Sequence, residues 1–199
     1  MKNISLKNEI IFLRHSKVTE DGKLFGVKEA TASEISLKKK TLLKKYLRGL
    51  DLHFVSPSLR CVQTQKMLWP EKRFKISKNL IEQDFGEWDG QPYSKIPDVG
   101  FLNNSSLFRF KPPGGESHKE LSIRVNSEII NIAKKSRQKS SLVVAHAGTI
   151  RSAIGLTLKC KWDCLNFTID NLSITRIALN LNGKFSLIQS NFNPKAFYG

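Results

Sequence analysis

Three short apolar stretches constrain what this chain can fold into: Glu9-Ile10-Ile11-Phe12-Leu13, Leu52-His53-Phe54-Val55 and Ser140-Ser141-Leu142-Val143-Val144-Ala145. Each is rich in strand formers, too short for an ordinary helix, and broken off at polar residues. The first ends at Arg14-His15, the second at Ser56-Pro57-Ser58 and the third at His146. Runs that are apolar without alternation are buried on both faces, as in a parallel sheet covered by helices.

Helical signals separate these runs. Ile35, Leu42, Leu43, Tyr46 and Leu47 recur at roughly helical spacing among lysines, with Ser33 as the expected cap and an end near Leu50. Pro57 is placed to open a helix through Met67. Glu116 to Lys135 is periodic through Leu121, Val125, Ile129, Ile130 and Ala133, and Gly148 leads into a further helix. Ser173–Leu181 and Lys184–Ser190 flank Asn182-Gly183, a strong hairpin signal. The alternation predicts an α/β fold: a three-layer α/β/α sandwich with a mostly parallel central sheet and a C-terminal β-hairpin. One domain is expected over residues 1–199, with an irregular, lid-like insertion at about 85–115 that is rich in Gly, Pro, Asn and aromatics. Ligands of such sheets sit beyond the carboxyl ends of the strands. Arg14-His15, the loop before Arg60, and His146 are therefore expected to converge.

Composition narrows the function classes. A chain of 199 residues buries enough surface to need no disulfide or metal staple. Cys61, Cys160 and Cys164 are odd in number, and no second pair of metal ligands accompanies Cys160 and Cys164, so reduced structural thiols are expected and no metal site. Met1 to Glu9 is polar and no stretch reaches membrane-spanning length, which predicts a soluble, cytoplasmic protein. The net charge of +16 favours an anionic partner, and nucleic acid, an anionic membrane surface and a phosphorylated metabolite all fit that charge alone. The runs Lys38-Lys39-Lys40, Lys44-Lys45 and Lys134-Lys135 read as solvated helix faces. Without zinc-ligand spacing or an aromatic single-strand motif, no dedicated nucleic-acid or membrane partner is expected. The expected partner is a small phosphorylated metabolite, and a homodimer is left open.

Each candidate for chemistry is weak alone. His15 after a buried strand could be a histidine satisfied by backbone, but Arg14 beside it needs an anion. His146 precedes Ala147-Gly148 at an expected helix N-terminus, where free N–H groups suit a phosphate. Arg60 and Glu82 add little singly. The ordered set is specific: Leu13-Arg14-His15-Ser16; Ser56 to Thr64 with Arg60-Cys61; Leu80-Ile81-Glu82 through Asp84-Phe85-Gly86-Glu87-Trp88-Asp89-Gly90; Pro113-Gly114-Gly115-Glu116-Ser117; and Val144-Ala145-His146-Ala147-Gly148-Thr149-Ile150-Arg151. It resembles the histidine phosphatase superfamily, also called phosphoglycerate mutase-like, from about Ile10 to Asn180.

The resemblance implies a metal- and cofactor-independent phosphomonoester hydrolase. His15 is implied as nucleophile, through a phosphohistidine. Arg14, Arg60, His146 and the backbone at Ala147 are implied around the phosphoryl oxygens, and Glu82 as the acid that protonates the leaving alkoxide. Burial beside Phe85 and Trp88 is expected to favour the protonated form of Glu82, against the opposing pull of the arginines. Arg124 reads as half of a structural ion pair. Ser16 stands where the family usually has Gly. Lys17-Val18-Thr19 replaces the Trp-Asn pair of the mutases, which favours hydrolysis over transfer. Asp21-Gly22-Lys23-Leu24-Phe25-Gly26 with Arg60-Cys61 is most similar to the alpha-ribazole phosphatase branch, which implies alpha-ribazole 5′-phosphate as substrate. The alternatives are a broad-specificity sugar or nucleotide phosphatase, a mutase-like enzyme, and an inactive relative that binds phospho-ligands. Of Phe85, Trp88, Tyr93, Phe101, Phe108 and Phe110, most are expected in the core and one or two at the pocket.

Overall fold

The computed structural model describes residues 9–50, 52–136, 139–180 and 182–194. The polar start of the chain, residues 1–8, and Leu181 lie outside the described residues. The three apolar runs are strands β1 (Glu9–Arg14), β2 (Leu52–Val55) and β4 (Ser141–Ala145), joined by a short β3 (Lys75–Ile76) and the hairpin β5 (Ile174–Leu179) and β6 (Phe185–Phe192). They form one six-stranded sheet in the order β3-β2-β4-β1-β5-β6. The pairs β3-β2, β2-β4 and β4-β1 are parallel; β1-β5 and β5-β6 are antiparallel.

The helices are α1 (Leu37–Tyr46), α2 (Leu59–Leu68), α3 (Asn104–Arg109), α4 (His118–Lys135) and α5 (Ala147–Gly155). Strand alternation explains why both sheet faces need helices. Ile10, Phe12, Val143 and Ala145 point to one core with Leu121, Val125, Ile129 and Ile150 of α4 and α5. Ile11, Leu13, Leu142 and Val144 point to the other, with Leu43, Cys61 and Leu68 of α1 and α2.

Three helix starts differ from expectation. α1 is capped by Ser36, whose side chain accepts from the Lys39 N–H, and not by Ser33. Both serines have the chemistry of a cap. Ser33 is unavailable because residues 31–33 pair with residues 17–19, through Thr19 N to Thr31 O at 2.9 Å and Ser33 N to Lys17 O at 2.6 Å. α2 starts at Leu59 with Ser58 as its cap, so Pro57 precedes the helix. α4 starts at His118 through a reciprocal Ser117–Glu120 capping box, which leaves Glu116 outside the helix. Among the described residues, no helix is long and apolar enough to cross a membrane.

Candidate active site

β1, β2 and β4 run parallel and end level with one another, so Arg14-His15, Ser56 and His146 emerge together. His15 N–H donates to Ala145 O at 3.0 Å, and Ser56 N–H to Val144 O at 3.0 Å. A cavity of about 670 Å³ opens there, a size typical of small-molecule sites. Arg14, His15, Arg60, Glu82 and Ala147 line it.

His15 is buried, and its Nδ1–H donates to Ser16 O at 2.6 Å, so the lone pair of the neutral ring sits on Nε2. Burial and the nearby Arg60 and Arg14 charges push its pKa down to about 3. Asn171 Nδ2 donates to His15 O at 3.0 Å, fixing the backbone from the far side. Ser16 turns away from the cavity: its N–H donates to Thr64 Oγ1 at 2.9 Å and its Oγ to Ser33 O at 2.9 Å. A side chain in place of glycine is thus housed without narrowing the space before His15.

The two arginines are held differently. Arg60, 1% exposed, donates Nη2 to Gly26 O at 2.6 Å, Nη1 to Lys28 O at 3.1 Å and Nε to His146 Nδ1 at 3.3 Å. Those carbonyls are in turn fixed by buried Asp89, which accepts from Gly26 N and Lys28 N, both at 2.9 Å. Arg14 donates Nη1 to Ile169 O at 2.5 Å, while its buried Nε has no partner. A buried charged donor without an acceptor is costly unless a ligand supplies one.

His146 departs from the expected role of a third cation. It is completely buried, lies outside the cavity lining, and meets the His15 ring edge-on with centroids 5.1 Å apart. Its Nδ1 accepts from Arg60, so its Nε2–H donates to Ser56 Oγ at 2.7 Å. Burial first, then the Arg60 charge, holds the ring neutral. Sequence gives no sign of this, because the partners Ser56 and Arg60 lie 90 and 86 positions away along the chain.

Glu82 is buried at the rim, with Oε1 accepting from Gln83 N at 2.9 Å and Oε2 from Gly148 N at 3.0 Å. The N-terminus of α5, expected to serve phosphate alone, therefore also holds this carboxylate. Gly148 makes that possible: a Cβ there would overlap Glu82 Oε1 and sit 3.0 Å from Leu121 Cδ2.

The outer cavity is wider than foreseen. Phe85, Trp88, Tyr93 and Phe110 of the 85–115 segment all line it, and Phe25 joins them. Trp88 and Phe110 stack with centroids 5.6 Å apart. Of the six aromatics, only Phe108 is core, packed on His118, and Phe101 is exposed. Lys17 and Lys23 sit at the mouth, paired to Asp21 and Glu20, each at 2.6 Å. Arg151 also lines the cavity, a residue that sequence reasoning quoted within a motif but gave no task. Its Nε donates to Phe167 O at 2.9 Å, and it has no carboxylate partner among the described residues.

Burial of neutral histidines has a consequence for stability. His15 is held at about 3, His118 at about 4 and His146 well below its ordinary value, each chiefly by burial. Unfolded histidines titrate near 6.5, so below that pH the unfolded chain binds more protons than the folded one. The stabilisation is fully present above about pH 6.5 and is lost progressively toward pH 3–4. Thermal melts should therefore show Tm falling steadily as pH drops below about 6.5, with part of the slope removed in His118→Gln. A Tm unchanged between pH 7 and 4.5 contradicts this.

Comparison with known proteins places the chain. The family model described as histidine phosphatase superfamily (branch 1) matches residues 10–191. A candidate phosphoserine phosphatase 2 of Hydrogenobacter thermophilus is 27% identical over 184 aligned residues, covering 84% of this chain and 88% of the relative. A variant phosphoserine phosphatase from Entamoeba histolytica, solved with phosphoserine, superposes with a TM-score of 0.79 at 19% identity, covering 93% of this chain and 97% of the other. The alpha-ribazole phosphatase of Shigella flexneri superposes with a TM-score of 0.78 at 18% identity, covering 96% and 100%.

Proposed function

The chain belongs to the histidine phosphatase superfamily (branch 1), and we propose that it hydrolyses phosphomonoesters through a phosphohistidine on His15. One observation carries this reading: a neutral histidine with its free lone pair on Nε2, at the end of a parallel strand, in a cavity that Arg14 and Arg60 also line. The Nε2 lone pair attacks phosphorus, the phosphorus–oxygen bond breaks, and Glu82 gives its proton to the departing alkoxide. Water then attacks phosphorus, the phosphorus–nitrogen bond breaks, and Glu82 takes the proton back. Arg60 and the unpartnered Nε of Arg14 stabilise the charge that spreads over the equatorial oxygens. These fixed cations supply what a metal would otherwise provide.

The leaving group has two readings. The aromatic wall of Phe25, Phe85, Trp88, Tyr93 and Phe110 supports a flat, uncharged group, with alpha-ribazole 5′-phosphate as the candidate. Arg151 favours a second reading, a leaving group that carries a carboxylate. It lies one helical turn beyond Ala147, about 6 Å further along α5, and its charge adds to burial in lowering the pKa of Arg14. The name of the Hydrogenobacter relative agrees with an acidic substrate such as phosphoserine.

A single panel decides between them: kcat/KM for alpha-ribazole 5′-phosphate, O-phosphoserine, 3-phosphoglycerate and p-nitrophenyl phosphate, all with a chelator present. Hydrolysis is expected to proceed undiminished in chelator, and restoration by divalent ions of an activity lost there contradicts the mechanism. If the leaving group is acidic, Arg151→Ala lowers kcat/KM for the carboxylated esters by about 10- to 100-fold, the cost of one charged hydrogen bond. If it is flat and neutral, alpha-ribazole 5′-phosphate is the best substrate and Arg151→Ala leaves its kcat/KM within about 3-fold.

A further inference from the structure

Backbone accounting around Glu82 gives Arg124 more than a structural ion pair. The segment Asn79–Glu82 crosses from a 3-10 turn, Lys78–Leu80, into an extended stretch that joins no sheet. Its carbonyls need partners, because buried backbone acceptors are nearly always paired. Side chains supply them. Leu80 O accepts from Thr149 Oγ1 at 3.1 Å. Asn79 O and Ile81 O accept from Arg124 Nη1 at 3.0 and 2.8 Å, and Glu82 O accepts from Nη2 at 2.9 Å.

The rest of the guanidinium goes to Glu116. Nε donates to Glu116 Oε2 at 3.2 Å, and Nη2 makes a short bond to Oε1. All five N–H groups of Arg124 are thereby used. Glu116 also grips the chain just past Glu82: its Oε1 accepts from Asp84 N at 3.1 Å, its N–H donates to Asp84 O at 2.8 Å, and its O accepts from Gln83 Nε2 at 2.8 Å. One planar cation and one carboxylate therefore hold residues 79–84 from both sides. Neither Arg124 nor Glu116 lines the cavity.

We infer that Arg124, locked by Glu116, is the positioning residue that holds Glu82 at the angle from which it passes a proton to the leaving oxygen. The inference rests on the reading of Glu82 as general acid. Proton transfer tolerates little misplacement, and a lysine at this position, with three donors, cannot serve the five acceptor atoms that the guanidinium reaches. The consequence falls on one step only. Phosphoryl transfer to His15 needs the proton when the leaving group is an alkoxide and hardly needs it when the leaving group is nitrophenolate.

The test measures kcat/KM, which covers steps up to the phosphohistidine, for p-nitrophenyl phosphate and for β-glycerophosphate. Glu82→Gln is the benchmark, expected to lower the alkyl ester on the order of 100-fold or more and the nitrophenyl ester far less. Arg124→Gln should reproduce that selectivity, with a loss on the alkyl ester at least about 10-fold larger than on the nitrophenyl ester. It should also move the pH profile of alkyl-ester kcat/KM while leaving that of the nitrophenyl ester as in the wild type. Equal losses on both esters with an unmoved pH profile overturn the inference and leave Arg124 as scaffolding. If Glu82→Gln itself shows no selectivity, the general-acid reading fails, an outcome distinct from the first. Arg124→Lys is measured in parallel, so that a misfolded Arg124→Gln still leaves the comparison in place.

Discussion

His15→Ala is expected to abolish turnover of every phosphomonoester, by on the order of 10⁵-fold or more, because the other histidine that lines the cavity among the described residues, His118, has its Nε2 engaged by Ser152 Oγ at 3.5 Å and Cys164 Sγ at 3.7 Å. The neighbours are each committed elsewhere. Ser16 Oγ donates to Ser33 O, Thr64 Oγ1 donates to Arg60 O at 2.7 Å, and Ser56 Oγ is bound to His146 Nε2. The Cys61 thiol is completely buried, and burial pushes its pKa far up, so it carries almost no thiolate. Rapid quenching of the wild type with labelled phosphomonoester should trap an adduct that is labile in acid and stable in base. His15→Ala should show none. Label on a serine, a cysteine or an aspartate, or a His15→Ala variant that still turns over, would falsify the phosphohistidine mechanism.

Gly148→Ala is expected to damage activity severely at little expense to stability. The new Cβ takes the space of Glu82 Oε1, and the Leu121 methyl 3.0 Å away blocks the opposite escape. Glu82 is a flexible side chain and can swing aside, so the fold survives. In swinging aside, it loses the Gly148 N–H at 3.0 Å and its place at the rim. Activity on alkyl phosphates should fall by about 100-fold or more, in line with the loss of a general acid, while Tm drops by no more than a few degrees. A variant that melts far below the wild type, or one that keeps its alkyl phosphatase activity, contradicts this account. The same position separates the two tasks of the α5 N-terminus, since Ala147 keeps its place at the cavity.

The fold was largely legible in the residues. Glu9–Leu13, Leu52–Val55 and Ser141–Ala145 are short, unalternating and apolar, and only a parallel sheet with two covered faces buries both sides of such runs. Asn182-Gly183 marked the turn between the antiparallel strands, where Gly183 has φ +78°. Boundaries were less legible because capping is decided by tertiary pairing: Ser33 and Ser36 are chemically equal, and only the bridge between Val18 and Ala32 removes Ser33 from contention.

The placement of Arg14, His15 and His146 at strand ends was legible because strand ends in this class of sheet face one way, whereas Arg60, inside α2, and Glu82, past a 3-10 turn, were singled out only as members of the ordered motifs. Their states were not legible. Sequence placed Arg14, His15, Arg60 and His146 together, but whether His146 is a cation or a buried neutral acceptor depends on Arg60 and Ser56, which meet it from other segments. The aromatic count of the 85–115 segment was plain in the sequence, while the number facing the cavity depended on how that segment drapes over the sheet end. Arg124 and Arg151 show the same division. Each is an ordinary helical arginine by position, and the difference between a group that clamps a loop and one that lines the cavity lies in long-range contacts. Local order and burial are set by the periodicity of neighbouring residues, which a sequence contains. Charge state, orientation and partnership arise from contacts between residues far apart in the chain, and those exist only once the chain has closed around them.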